Sequence, residues 1–345
     1  MSESRDPIGI RVRRGAEIES LHMVAAAVVD GEGREVARHG DPSRRAYLRS
    51  AAKPIQLLPL VEEGVADRYG FTAAELAVMA ASHNAEPVHL EAVRSILDKA
   101  GVDEGRLLCG PHEPMAPAAA AALRQSGEAP APIHNNCSGK HAGFLAACRA
   151  LGWPLASYLA ADHPLQRRIR DTLVELAEVD ADAIGLAVDG CGAPTFAMPV
   201  TAMARAWAAL AAADAGRESD RARAIGRIFD AMVAHPDLVA GTGRLDTDLL
   251  RTVGGRVVAK TGAEGVFCAA LRPIAGTPAR GLALKVIDGG KRAQDVALIA
   301  ILESLGALDA AAVSELEAHA RPEIRNRSGA LVGKIDARLP LEGAR

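Results

Sequence analysis

Strand-like runs sit at both ends of this chain, and helical patterns fill the space between them. Near the start, IGIRVRRGAEIESLHMVAAAVVDGEGREVARHG is rich in Val and Ile. It carries Asp30-Gly31 and then Gly33 at a turn, which predicts a β-hairpin. In the C-terminal third, GRVVAKTG, EGVFCAALRP and GLALKVIDG are strand-like runs parted by Gly- and Pro-containing turns. Between the two groups, TAAELAVMAASHN, HLEAVRSILDKAG, HAGFLAACRALG, LQRRIRDTLVELAE and RARAIGRIFDAMVAH carry the apolar period of helices. A last helix, RAQDVALIAILESLG, follows the strands. The economical assembly is an α/β (α+β) fold, with one antiparallel sheet joining the chain ends and a helical lobe inserted over roughly 50–240. The stretch 115–132, MAPAAAAALRQSGEAPAP, is Ala/Pro-biased and reads as a loop or a short helix with loose flanks. With no internal repeat, residues 1–345 read as one domain.

Composition excludes several functions. The net charge is −3, and no basic patch is interleaved with aromatics, so nucleic acid is not an expected partner. The start, MSESRDPIGIRVRR, lacks a basic segment followed by an apolar one, and no apolar run reaches the ~18 residues of a membrane span. The five cysteines are scattered and odd in number, which fits reduced thiols and a cytoplasmic location. Cys148, Cys268 and Cys109 read as core or edge residues.

The stretch AYLRSAAKPIQ (46–56) places Ser50 one helical turn before Lys53 among apolar neighbours. Residues i and i+3 share a helix face, so the two side chains can meet. A serine hydroxyl is a poor nucleophile until a base takes its proton, and a neutral lysine can be that base. Apolar surroundings lower an amine's pKa by disfavouring the charged form. Pro54 lacks an N–H and fits only where the helix begins within about a turn of it. That sets Ser50 near a helix N-terminus, where free backbone N–H groups suit an oxyanion. The plain alternative is a lysine running past a core Ala pair beside an incidental serine.

Two further elements follow in order: Ser82-His83-Asn84 in MAASHNAEP, and Lys260-Thr261-Gly262 closing the run VVAKTG. Alone, each reads as a turn or strand end. Together they give Ser-x-x-Lys, Ser-x-Asn, Lys-Thr-Gly, the element order of penicillin-binding proteins and class A β-lactamases. The first gap is short for that family and the second long.

A second constellation is HNNCSGKHAGF (134–144) with DGCGAP (189–194). Cys137 and Cys191 lie on turns, with Lys140 and His141 in the first turn of a helical pattern. Metal ligands, redox partners and packing all remain open for them. GTGRLDTDLLRTVGG (241–255) predicts a short helix bounded by glycines. Its Arg244 and Asp246 are candidates for holding substrate or, more simply, for a structural ion pair.

These blocks, RSAAKPIQ, ASHNAEP, HNNCSGKHAGF, DGCGAP, GTGRLDTDLL and AKTGAEGVF, resemble in sequence and order the rhizobial-type (asparaginase II, class 3) L-asparaginases, over about Ser50 to Gly265. The resemblance implies a serine β-lactamase/glutaminase-like fold and one catalytic domain that hydrolyses L-asparagine to L-aspartate and ammonia. It implies two Ser–Lys pairs, Ser50 with Lys53 and Ser82 with Lys260. It also implies zinc held by Cys137, Lys140 and Cys191, and a homodimer. The candidate substrate contacts are Arg49, Asn84, His141, Arg244, Thr261 and Gly262, with Arg49 or Arg244 for the α-carboxylate. The Ser50 N–H and the strand carrying Lys260 are candidate oxyanion donors. Where the family is expected to have Ser-Gly after the motif's Ser-His, this chain has Asn84-Ala85. Rival readings are a β-lactam or peptide hydrolase on the same scaffold, and a zinc-holding binding protein.

Overall fold

The structure, a computed structural model, describes residues 7–273 and 277–343. The first six residues, part of the stretch read for a leader, lie outside them. Eleven strands are present among the described residues: β1 (Ile8–Arg14), β2 (Glu17–Asp30), β3 (Glu35–His39), β4 (Arg45–Tyr47), β5 (Gly185–Val188), β6 (Pro194–Pro199), β7 (Val257–Thr261), β8 (Val266–Leu271), β9 (Arg280–Val286), β10 (Glu323–Arg325) and β11 (Leu331–Ala337). The main sheet runs β10-β11-β1-β2-β9-β8-β7, with β3 also on β2. Its pairs are antiparallel. The two chain ends therefore do build one sheet, as the sequence predicts. The Asp30-Gly31 turn joins β2 to β3, and Asp30 Oδ1 accepts from the backbone N–H groups of Glu32 and Arg34 to fix it. A second three-strand sheet, β4-β6-β5, lies with the helical lobe.

Alternation along the central strands shows that both faces of the main sheet are covered. Ala27, Val29, Val258, Val266, Cys268 and Ala283 belong to the core shared with the helical lobe. Val24, Ala26, Val28, Val257, Ala259, Phe267 and Leu284 belong to a second core, shared with the helix Lys291–Ser304. Lys260 follows this period. It stands opposite Cys268 in the β7–β8 ladder, so its side chain belongs to the lobe-facing side.

Several elements escape the sequence reading. The helix Val200–Gly216 packs against β2, β8 and β9, and it is apolar nearly all round, so it has no stripe for a periodicity test to find. The strands β10 and β11 extend the sheet past the last expected helix, and β11 is half exposed and interrupted by Gly333 and Lys334. The stretch 115–132 holds the short helix Pro117–Ser126. No helix among the described residues is long and apolar enough to cross a membrane.

Candidate active site

The site lies where the end of β7 meets the helical lobe. Residues 49–52 form a 3-10 turn that runs directly into the helix Lys53–Glu62, with Pro54 in its first turn. Ser50 thus sits at a helix start, where backbone N–H groups lack helical partners, and it is partly exposed. Gly262, just past β7, approaches this segment so closely that a Cβ there would lie 2.7 Å from the Leu48 carbonyl oxygen. Any side chain at 262 would push β7 away from the turn that carries Ser50.

Lys53 is 1% exposed. Its Nζ lies 3.0 Å from Ser82 Oγ, donates to the Ala81 carbonyl, and lies 3.2 Å from the Asn136 carbonyl oxygen. Among the described residues no hydrogen bond joins it to Ser50, so the expected direct pair is replaced by Lys53 with Ser82. Burial lowers the Lys53 pKa, against the opposing pull of the Cys137 thiol.

Lys260 is not hydrogen-bonded to Ser82. Its fully buried amine lies 3.3 Å from Asp246 Oδ1 and donates to its neighbour's carbonyl, Thr261 O, at 3.1 Å. Burial brings its pKa down to about 8, and Lys53 and Arg244 push the same way while Asp246 resists. Asp246 lies in the helix Leu245–Val253, and its Oδ1 also accepts from the Thr261 N–H at 2.8 Å. Burial raises the Asp246 pKa, but Lys260, Arg244 and that N–H overcome it and hold the group ionised. Of the strand's proposed oxyanion donors, the Thr261 N–H is therefore taken by Asp246 and the Gly262 N–H by the Val266 carbonyl. The Gln294 amide donates to Thr261 Oγ1 and to the carbonyls of Gly262 and Val266, and so locks this strand end.

The other candidates divide. Arg244 Nη1 donates to Asn84 Oδ1 at 3.0 Å, which brings Arg244 and Asn84 to the Ser82 loop. Arg49 spends Nε and Nη2 on Asp189 Oδ1, at 3.1 and 2.8 Å. His141 is fully buried, with Nδ1 2.7 Å from the Tyr158 hydroxyl and its ring beside Phe144. Burial, then Lys140 and Lys53, push its pKa well below the usual value, and its Nε2 is buried with no partner among the described residues.

The fourth residue of the Ser-His-Asn-Ala stretch bears on the departure from Ser-Gly. Ala85 is buried with φ +58, a left-handed conformation that glycine adopts without strain. The strain of Ala there is about 1–2 kcal/mol. Glycine would relieve it, but would add about 0.5–1 kcal/mol of chain entropy cost and lose a buried methyl worth about 0.8 kcal/mol. These terms nearly cancel. Ala85→Gly should therefore keep its denaturant-derived stability within about 1 kcal/mol of the parent. Ala85→Val, β-branched at positive φ, should lose more than about 2 kcal/mol. A fully stable Val variant would show that the backbone there is not held left-handed.

Cys137, Lys140 and Cys191 converge. Cys137 caps the helix Ser138–Leu151, Lys140 lies in its first turn, and Cys191 lies in the turn before β6. Gly139 permits this placement, since a Cβ there would lie 2.2 Å from the Val78 carbonyl oxygen of the neighbouring helix. Lys140 Nζ donates to Cys191 Sγ at 3.2 Å. A hydrogen bond from Cys191 lowers the Cys137 pKa well below its usual value, with Lys53 and Lys140 helping, while the same contact raises that of Cys191. Burial opposes charge on Lys140, but the two cysteines bring its pKa up to about 12. All five cysteines are free and buried. No group of three His, Cys, Asp or Glu among the described residues could hold a metal ion, so a metal here would need Lys140. The donor set fits one: two thiols and an amine meet, and one thiol is poised as thiolate.

A sheet and helical lobe that bury the Lys53 amine beside the Ser82 hydroxyl suit acyl transfer at an amide, and the sequence bears out the class: over residues 10–337 it matches a family of amidohydrolases. That family is L-asparaginase II, and the chain belongs to it. No curated protein matches the chain. Similar solved structures include a probable glutaminase from Bacillus subtilis complexed with 6-diazo-5-oxo-L-norleucine (14% identity, 81% of this chain and 83% of that one, TM-score 0.37). Others are Mglu in its native form (15%, 82% and 61%, TM-score 0.44) and a Bacillus glutaminase (12%, 82% and 91%, TM-score 0.39).

Proposed function

We propose that the protein hydrolyses L-asparagine to L-aspartate and ammonia, with Ser50 as nucleophile, Lys53 as base and Lys260 as acid. The observation that carries this reading is the hydrogen bonding of the buried Lys53 amine. A neutral amine has two N–H donors and one lone pair. The carbonyls of Ala81 and Asn136 can only accept, so they take the two N–H groups. An ammonium would donate to Ser82 Oγ as well, 3.0 Å away; once Lys53 is neutral, its lone pair is left to accept from Ser82 Oγ–H. Lys53 is thereby set as a base, one turn from Ser50.

Ser50 Oγ attacks the side-chain amide carbon, and its proton passes to Lys53, directly or through the Ser82 hydroxyl. The carbonyl π electrons move to the oxygen, which faces the N–H groups of the 49–52 turn. Collapse of this intermediate breaks the C–N bond, and Lys260 gives the leaving nitrogen its proton. Lys53 then passes its proton to the now neutral Lys260, takes one from the water that attacks the acyl-Ser50 ester, and returns it to Ser50 Oγ as the ester C–O bond breaks. Arg244 suits the substrate α-carboxylate, because among the described residues only its Nη1 is engaged. Burial lowers the proton affinity of both Lys53 and Lys260, while Asp246 opposes the loss of the proton at Lys260 alone. A second reading has Ser82 itself attack, favoured by its direct bond to Lys53.

Zinc is the metal that Cys137, Lys140 and Cys191 would hold, and it would supply a fixed positive charge beside Lys53. The Lys140 ammonium and the Cys191 thiol must each lose a proton to ligate. Zinc binding should therefore release about two protons near pH 7 and weaken as pH falls, measurable by calorimetry in buffers of different ionisation enthalpy. Proton-free binding, or full zinc content in Cys191→Ala protein, would refute these ligands.

The activity is tested by ammonia release from L-asparagine, L-glutamine and a β-lactam panel. Turnover of L-asparagine faster than of L-glutamine is expected. No release from L-asparagine by folded, zinc-loaded protein would overturn the proposal.

A further inference from the structure

We propose that Asp246 is a positioning residue that holds Lys260 in place and keeps a proton on it for the leaving group. This rests on the reading of Lys260 as the acid. Asp246 and Lys260 come from separate elements, a short helix and the edge strand β7. Both are buried, at 1% and 0% side-chain exposure. A carboxylate has no reason to enter such a place unless it is paired there. Its Oδ1 takes two donors from β7, the Thr261 N–H and the Lys260 amine. The first bond fixes the carboxylate against the strand backbone, and the second points the amine. Its Oδ2 is buried with no partner, so the local negative charge is not spent on other donors.

The charged groups around Lys260 make this carboxylate decisive. Lys53 and Arg244 both act on Lys260 to expel its proton, as does burial. Asp246 is the anion that retains it. Arg244 and Lys291 act in turn on Asp246 and keep it ionised. Without the carboxylate, Lys260 would be buried within reach of the Arg244 charge with no counter-charge, and would lose its proton at lower pH.

The test is Asp246→Asn, which keeps shape and removes charge. Two quantities are read: the alkaline limb of kcat for L-asparagine, and the titration of Lys260 followed by NMR of labelled lysine. In the parent both should fall near pH 8. In Asp246→Asn both should move down by at least one pH unit, so that kcat at pH 8 drops at least about fivefold. A Lys260 titration that does not move, or that moves up, overturns the proposal. If the Lys260 titration moves while the kcat limb stays, Asp246 holds the proton as proposed and Lys260 is not the acid, so the two readings fail separately. If Asp246→Asn does not fold, Asp246→Glu carries the test. It keeps the charge and displaces it by one methylene. The limb should stay near pH 8 while kcat falls about tenfold or more with KM unchanged, and an unchanged kcat overturns the positioning role.

Discussion

Lys53→Arg should lose nearly all L-asparagine turnover, by roughly 10³-fold or more in kcat, and should be nearly as inactive as Lys53→Met. The reason lies in what the site asks of position 53. Lysine there can shed its proton because burial disfavours the ammonium, and two carbonyls hold the remaining N–H groups so that the lone pair meets a hydroxyl. Arginine keeps its proton near neutral pH and has no accepting atom. If position 53 supplied only a fixed positive charge, Arg would retain much of the activity. Both variants leave buried carbonyls to be satisfied anew, so folding is checked by circular dichroism and zinc content before rates are compared. Substantial turnover by folded Lys53→Arg protein would remove Lys53 as the base.

Ser50→Ala should abolish turnover, by about 10⁴-fold or more in kcat, whereas Ser82→Ala should cost about 10²-fold, as the loss of a proton relay rather than of the nucleophile. Ser50 is partly exposed at the start of a helix, where incoming substrate can reach it. Ser82 is buried and already engaged with Lys53. The two effects are separated by mass spectrometry of the acyl-enzyme after rapid acid quench. The adduct should map to the peptide containing Ser50 and persist in Ser82→Ala protein. An adduct on Ser82, or retained turnover in Ser50→Ala protein, would exchange the roles of the two serines.

Much of this was legible before any coordinates. Lys53 and Ser82 were singled out from spacing and order alone, and the alternation in VVAKTG places Lys260 on one face of a strand. Cys137, Lys140 and Cys191 stand out as one constellation, but only the resemblance makes them a zinc ligand set, because their spacing follows no standard metal motif. Nothing local marks Asp246 as the partner of Lys260, or Asp189 as the partner of Arg49, since each pair joins elements far apart in the chain. Nor does anything local mark Tyr158 as the hydrogen-bond partner of His141, seventeen positions along the chain.

The sequence by itself determined the layout and the cast. Its helical and strand periods force a sheet from both ends with a helical lobe between, because each period must bury its own apolar face. Its motifs also supply the serines, lysines and thiols. Tertiary structure decided which of these act on which. Hydrogen bonds reach only about 3 Å, so pairing depends on the side-chain positions that packing produces. The close approach of Gly262 to Leu48 and of Gly139 to Val78 sets those positions. It is packing, acting across the chain, that gave Lys53 to Ser82 and Lys260 to Asp246.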